Sequence, residues 1–405
     1  MTRLAALLLL LGLISPPEPS QARELRRNLL FIRPMLMGEA YVALGDESSA
    51  LFYNSAGIAF LGSGSVEIFT PQIAVDERLK AAATDPASVS NQYSGLTVDQ
   101  LSQFVDQSAF IHVNLRMPVI TVPSRGLAFA FGGDALVNLE VTKQGEITLP
   151  DPIGTLTLPA LHVEVYADTV GAYNYTFRPS DGLALGFLFK AVNRIGIDKL
   201  IDAETLFGAA LNGTSNLAND PDYLALQQNL SYTAMGLDVG LLYVFRDALN
   251  WHPRLGYSII NVGGYSTAEG FHGMRFGAVR RKTGIPIGGE LPLLHTFGFA
   301  VSPVHNLIRY SIALDYVDVM REFYPKDSHW KMHTRLGFEL GIGPKEDGTA
   351  LLSIMAGLNA GHTSFGVLTR TWIMEVGFGR YTVERGNYTG DRPDSRRVVL
   401  LGFRY

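Results

Sequence analysis

Along much of this chain large apolar residues stand at every second position. In 232–246 Thr233, Met235, Leu237, Val239, Leu241, Tyr243 and Phe245 alternate with small or charged residues, among them Ala234, Gly236, Asp238 and Gly240. Leu307–Asp318 sets Ile308, Tyr310, Ile312, Leu314 and Tyr316 against Arg309, Ser311, Ala313 and Asp315. His329–Gly341 opposes Trp330, Met332, Leu336, Phe338 and Leu340 to Lys331, His333, Arg335 and Glu339, and Gly182–Lys190 repeats the pattern with Leu183, Leu185, Phe187 and Phe189. A period of two belongs to an extended strand with two unlike faces. The pattern predicts strands at 63–75, 110–122, 126–143, 158–178, 182–200, 232–246, 251–266, 290–302, 307–322, 329–343, 349–361, 364–371, 372–385 and 393–405. That is about fourteen, an even number, as an antiparallel single-chain barrel needs in order to close.

Alternation alone does not say which face is inside, since a soluble sandwich would turn the large apolar rows onto one another. Two further features favour the inverted arrangement. The segments exceed the usual strand length of about five or six residues and are long enough to cross a bilayer at a tilt. Charged residues occupy nearly every polar face, which suits a wet lumen. Short turns at Pro123-Ser124-Arg125, Pro179-Ser180-Asp181, Asp247–Asn250, Pro303–Asn306 and Pro344–Gly348 alternate with longer loops near 76–109, 144–157, 201–231 and 267–289. Short turns at one end and long loops at the other mark the periplasmic and extracellular ends of such barrels. The chain finishes on Val399, Leu401, Phe403 and Tyr405 at alternate positions. This ending resembles the C-terminal signal of bacterial outer-membrane barrels, which implies the barrel-assembly machinery as a partner of Tyr405.

The 405-residue chain carries a net charge of −5 and a sequence pI near 6.0, a balance that argues against nucleic acid. Glycine is abundant, with 42 residues, and cysteine is absent. Arg3, the apolar run Leu4–Ile14 and the small residues of Ser20-Gln21-Ala22 read as a cleaved signal peptide. Nowhere do apolar residues run on for the roughly eighteen positions that a membrane-spanning helix requires. The expected organisation is a signal peptide at 1–22, an N-terminal plug at 23–62 and a transmembrane β-barrel at 63–405.

Met37–Gly62 differs from the rest, being rich in small residues. Asp46 is a plausible N-cap, Glu47–Asn54 reads as about two helical turns with Leu51 and Phe52 as bulky contacts, and Gly57 stands where a left-handed residue would end the helix. Locally this fits either a compact element lodged inside something larger or an ordinary surface helix. Met37-Gly38-Glu39-Ala40, Asp46-Glu47, Ser49-Ala50 and Asn54-Ser55-Ala56-Gly57 resemble the plug of outer-membrane channels of the FadL type, with Ser55 where that family usually has proline. Related PorV-like barrels open in a similar way. The resemblance implies an all-β fold, a closed antiparallel transmembrane β-barrel of about fourteen strands with an N-terminal plug inside the lumen. It implies passive uptake of small hydrophobic molecules such as long-chain fatty acids or hydrocarbons through the outer membrane. The alternative is a PorV-like docking or shuttle component with an exported protein as partner.

Catalytic and metal constellations are missing from the sequence: there is no HExxH, no cysteine ligand and no Gly-x-Ser-x-Gly elbow before a helix. The expectation is therefore not an enzyme, with no cofactor. Four groups of residues bear on transport. Asn54, Ser55, Ala56 and Gly57 would form the turn that closes the plug. Phe131, Gly132 and Gly133 lie in the third strand, where adjacent glycines mark a kink or simply accommodate curvature; in the FadL type this strand opens the wall sideways. Leu206, Phe207, Tyr223, Leu224 and Leu226 offer either a landing groove for a greasy ligand or loop helices packed on each other. Asp238, Arg309, Asp315, Arg335, Glu339 and Glu375 face the lumen, as structural ion pairs or as an anchor for a carboxylate.

Overall fold

The structure is a computed structural model that describes residues 27, 29–76, 108–148, 155–201, 231–245, 251–262, 293–321, 324, 328–344, 349–386 and 388–405. Its strands are β1 Ser65–Asp76, β2 Ser108–Val122, β3 Leu127–Thr148, β4 Thr155–Ser180 and β5 Leu183–Ile201. There follow β6 Ser231–Val244, β7 Arg254–Ile260, β8 Leu294–Val301, the two-residue β9 Val304–His305 and β10 Ile308–Val317. The last five are β11 Thr334–Pro344, β12 Ala350–Asn359, β13 His362–Arg370, β14 Met374–Glu384 and β15 Pro393–Arg404. Apart from β9, which only extends the edge of β10, each strand pairs antiparallel with its neighbours in sequence, and β1 pairs with β15. The sheet closes into a fourteen-strand barrel.

The faces fall as an inverted barrel requires. On β10, Ile312 and Leu314 are each 45% exposed while Ser311, Ala313 and Asp315 are at 0%. On β15, Val399 is 51% exposed and Leu401 42%, against 0% for Val398 and Leu400. Outward rows are thus leucine, isoleucine, valine and phenylalanine, and the enclosed side holds most of the charge. An apolar band wrapped round a closed barrel is stable only in a bilayer, because every strand edge is paired and the band meets lipid rather than water. The soluble sandwich is excluded. Trp251, Trp372 and Tyr405 are exposed at the short-turn end and Trp330 at the other, where indole and phenol rings suit the two interfaces.

β3 and β4 extend into the loop expected over 144–157, pairing as far as Thr148 with Thr155, and two other predicted strands differ more. The seventh, expected over 251–266, is the short β7. The stretch expected as strand from 329 begins instead with a helical turn, Trp330–His333, which the His329 side chain caps by accepting from Lys331 N. The turn reverses the facing of Met332, which is fully buried with Ile260, Leu294, Val317 and Tyr324 rather than pointing to lipid.

Candidate functional site: a filled lumen

Ahead of β1 the chain forms α1 Ile32–Leu36, α2 Ala50–Tyr53 and a 3-10 turn Ser55–Phe60. Leu29, Phe31, Ile32, Leu36, Tyr41, Leu44, Leu51 and Tyr53 are all buried, and the main hydrophobic cluster joins this segment to lumen-facing Ala128, Leu136, Val170, Leu188, Leu368 and Leu400. The helix expected over Glu47–Asn54 is shorter than its sequence suggests. Its N-cap is Ser49, whose hydroxyl donates to Glu47 at 2.9 Å instead of capping the helix, and Asp46 is taken by Arg33 at 2.5 Å. Gly57 is not a left-handed stop either; it lies inside the 3-10 turn, where a Cβ would come within 2.9 Å of the Gly45 Cα and the Ala50 Cβ.

The wall opposite the segment is stripped of side chains. Glycines pair across neighbouring strands as Gly186 with Gly240, Gly256 with Gly298, Gly337 with Gly357 and Gly366 with Gly379. Each pair faces inward and meets the segment. A Cβ on Gly186 would fall 2.5 Å from Ser55 C, on Gly256 2.5 Å from Val42 O, on Gly337 2.6 Å from Met37 O and on Gly366 2.5 Å from the Leu36 Cδ1. The segment reciprocates at Gly38, whose φ of +65° suits a residue without a side chain and whose Cβ would lie 2.6 Å from Leu358 N. These glycines are a belt: three pairs seat the segment's backbone, and Gly366 with Gly379 takes the Leu36 side chain. Their sequence signal was present, since the residues alternating with the apolar rows are often glycine, but it reads equally well as barrel curvature.

Buried charge fixes the segment in place. The Arg33 guanidinium spans two carboxylates, Asp46 at 2.5 and 3.1 Å and Glu339 at 3.1 and 2.5 Å. Arg309 reaches the same two, Glu339 at 3.1 Å and Asp46 at 3.4 Å, and the Tyr41 hydroxyl donates to Asp46 at 2.9 Å. Asp315 accepts the backbone N–H groups of Tyr41 at 2.6 Å and Val42 at 2.8 Å. Glu375 pairs with Arg370 at 3.3 Å, and Arg370 reaches Glu47 of the segment at 2.7 Å. Asp238 and Arg335 hold the wall to itself: Asp238 binds Lys190 at 2.8 Å, and Arg335 donates to Met332 O at 2.7 Å and to the Tyr324 hydroxyl at 2.9 Å. The structure thus brings Arg309, Asp315, Glu339 and Glu375 together with the segment and leaves Asp238 and Arg335 apart from it.

Asn54 anchors the 55–60 turn. Its amide donates to Val42 O at 2.8 Å and Leu241 O at 3.0 Å, and its carbonyl accepts from Ala56 N at 3.2 Å. Ser55 O accepts from the Thr176 hydroxyl at 3.2 Å, so one short turn touches β4, β5 and β6. At the glycine pair, β3 continues unbroken against β4, with Phe131, Gly132 and Gly133 opposite Gly171, Val170 and Thr169. The irregularity lies in the neighbouring strand instead: the β2 register shifts between Arg116 and Val119, and Met117 and Pro118 are both exposed there. Gly132 faces inward under Leu29, whose Cδ2 would lie 2.9 Å from a Cβ, whereas a Cβ on Gly133 would meet only Asp168 O, at 3.6 Å. Leu206, Phe207, Tyr223, Leu224 and Leu226 lie outside the described residues.

Between the segment and the wall, Leu30, Met35, Phe110, His112, Leu136, Tyr166 and Tyr381 line a cavity of about 40 Å³. That is room for water rather than for a benzene ring, which needs about 150 Å³. His112 contacts Asp134 at 2.5 Å in its wall. Among the described residues no group of three or more histidine, aspartate or glutamate side chains is placed to hold a metal.

No family model and no curated protein matches the chain. Solved structures with similar folds include the toluene transporter TodX of Pseudomonas putida, at 12% identity over 95% of this chain and 99% of that one with a TM-score of 0.45. The toluene transporter TbuX of Ralstonia pickettii gives 11% identity over 93% and 97% with a TM-score of 0.42. A FadL homologue of Pseudomonas aeruginosa gives 12% over 95% and 99% with a TM-score of 0.39.

Proposed function

We propose that this barrel stands in the bacterial outer membrane and passively admits small hydrophobic molecules, long-chain fatty acids or hydrocarbons, with residues 23–62 as its plug. The observation that carries this is the buried segment of α1, α2 and the 55–60 turn, seated against the inner wall. A general porin keeps an aqueous lumen, whereas here arginine–carboxylate pairs and backbone contacts occupy it. Polar solutes find no ready path among the described residues. A hydrophobe needs none through water: it partitions to the long-loop end, moves into the apolar side of the cavity beside Leu30 and Met35 as the segment shifts, and leaves into lipid. Departure into the bilayer is favourable because the molecule never re-enters water. The exit is assigned to the wall at Phe131, Gly132 and Gly133, where β2 is out of register and the Leu29 side chain covers Gly132 from inside.

The test is uptake of radiolabelled toluene and oleate by cells lacking other routes. Cells expressing the protein are expected to accumulate label faster than empty cells while glucose entry is unchanged; equal rates would refute the proposal. For the exit, Gly133→Val is the cleaner variant, because Gly133 points away from the segment and has room for a side chain. Uptake is expected to fall several-fold with the barrel intact, as shown by its heat-dependent shift on gels. Uptake at the wild-type rate would remove the side exit while leaving the channel.

A further inference from the structure

The outer face carries a concavity beside the proposed exit, with which it shares Phe131 and Pro118. Phe131, Gly171, Ala191 and Met235 lie side by side across β3, β4, β5 and β6 on the face turned to lipid. This row is bulky at its ends and nearly bare in the middle. The next row toward the short turns, Phe129, Tyr173, Phe189 and Leu237, is bulky throughout. Together they enclose an apolar groove of about 740 Å³, and a Cβ built on Gly171 would meet nothing within 4 Å. On its other side the same strands present a polar pair, Thr169 opposite Asn193. Among the described residues the charged one that borders it, Lys190, turns its ammonium to Asp238 on the lumen side, at 2.9 Å.

We propose that this groove holds one acyl chain of a membrane phospholipid as a resident ligand. Its lining is continuous with the apolar band that faces the bilayer, so the matter in contact with it is lipid. Left empty, the groove would forfeit dispersion contacts along its whole floor, and water there would find no polar partners. Its volume is roughly five times the ~150 Å³ that accommodates a benzene ring, which suits a chain. The aromatic row packs along one side of the chain, Phe131 and Met235 close the ends, and the ester end lies toward Thr169, whose hydroxyl can hydrogen-bond to it. The proposal rests on the barrel being embedded in a bilayer, and because the groove adjoins the proposed exit, lipid retention and hydrocarbon uptake are measured separately.

The experiment is native mass spectrometry of the full-length barrel in dodecyl maltoside, after incubation with palmitoyl-oleoyl phosphatidylethanolamine and stepwise delipidation. Wild type is expected to keep one phospholipid after the remaining lipids are stripped. Gly171→Trp, which fills the open floor, is expected to lower that occupancy about tenfold or more, and Ala191→Leu to lower it less. Val367→Trp, on the lipid face of β13 away from the groove, is expected to leave it unchanged. Equal retention by wild type and Gly171→Trp overturns the proposal, and so does equal loss in Gly171→Trp and Val367→Trp. The heat-dependent gel shift verifies each barrel, and hydrocarbon uptake by the same variants reports separately on transport.

Discussion

Replacing Gly357 with valine is expected to open the lumen without dissolving the barrel. A Cβ at this position would fall on Gly38 N and Met37 C, both backbone atoms that have no rotamer by which to withdraw. Gly38 is itself constrained, with its positive φ and the Leu358 backbone 2.6 Å from where a Cβ would be. Overpacking of this kind costs about 1–3 kcal/mol or more, and the cheapest relief is for the segment to leave its seat, since β12 is held on both sides by β11 and β13. In planar bilayers wild type is expected to be nearly silent and Gly357→Val to conduct ions, with Gly171→Ala as a silent control on the outer face. A silent Gly357→Val barrel would show that the belt is not what holds the segment.

The second large effect is expected at Arg33. This guanidinium is 1% exposed and stands between Asp46 and Glu339. Removing one partner of a buried pair leaves the other charges uncompensated, at a cost of about 3–5 kcal/mol. Arg309 can take over part of the load, so Arg33→Met is expected near the lower end and Arg33→Met with Arg309→Met well above it. Hydrogen exchange read by mass spectrometry should localise the loss of protection to residues 31–60 rather than to the strands. The same cluster sets an acid limit. Burial alone would push the Asp46 carboxyl up, but Arg33 and Arg309 outweigh it and hold it well below the usual carboxylate range. A depressed value stabilises above the unfolded-state value of about 3.9 and is lost as pH falls through the folded one. The contribution of the Asp46 pair to that protection is therefore expected to persist from neutral pH down to about pH 4 and to decline only below that.

The barrel was legible from the chain because a two-residue period ran through unusually long segments whose polar faces carried charge. Tyr310, Ile312 and Leu314 already announced the lipid face of β10, and Arg309 and Asp315 its opposite. The failures occur where local geometry breaks the period. Met332 has the right parity for the outer row, yet His329 caps a helical turn that carries it inside. Asp46 has the right chemistry for an N-cap, yet a buried arginine competes for it and wins. The pairing of glycines across strands was hidden for a different reason: it depends on register, and Gly337 facing Gly357 cannot be read until β11 and β12 have been aligned.

That alignment also constrains how the molecule is made. The eight paired glycines accept a peptide that crosses from β14 to β5 along the inside. The seam between β1 and β15 joins the two ends of the chain and is the natural last closure. We expect the sheet to wrap around this segment as it folds, which pulsed hydrogen exchange would show as protection of residues 31–60 arising no later than that of β1 and β15.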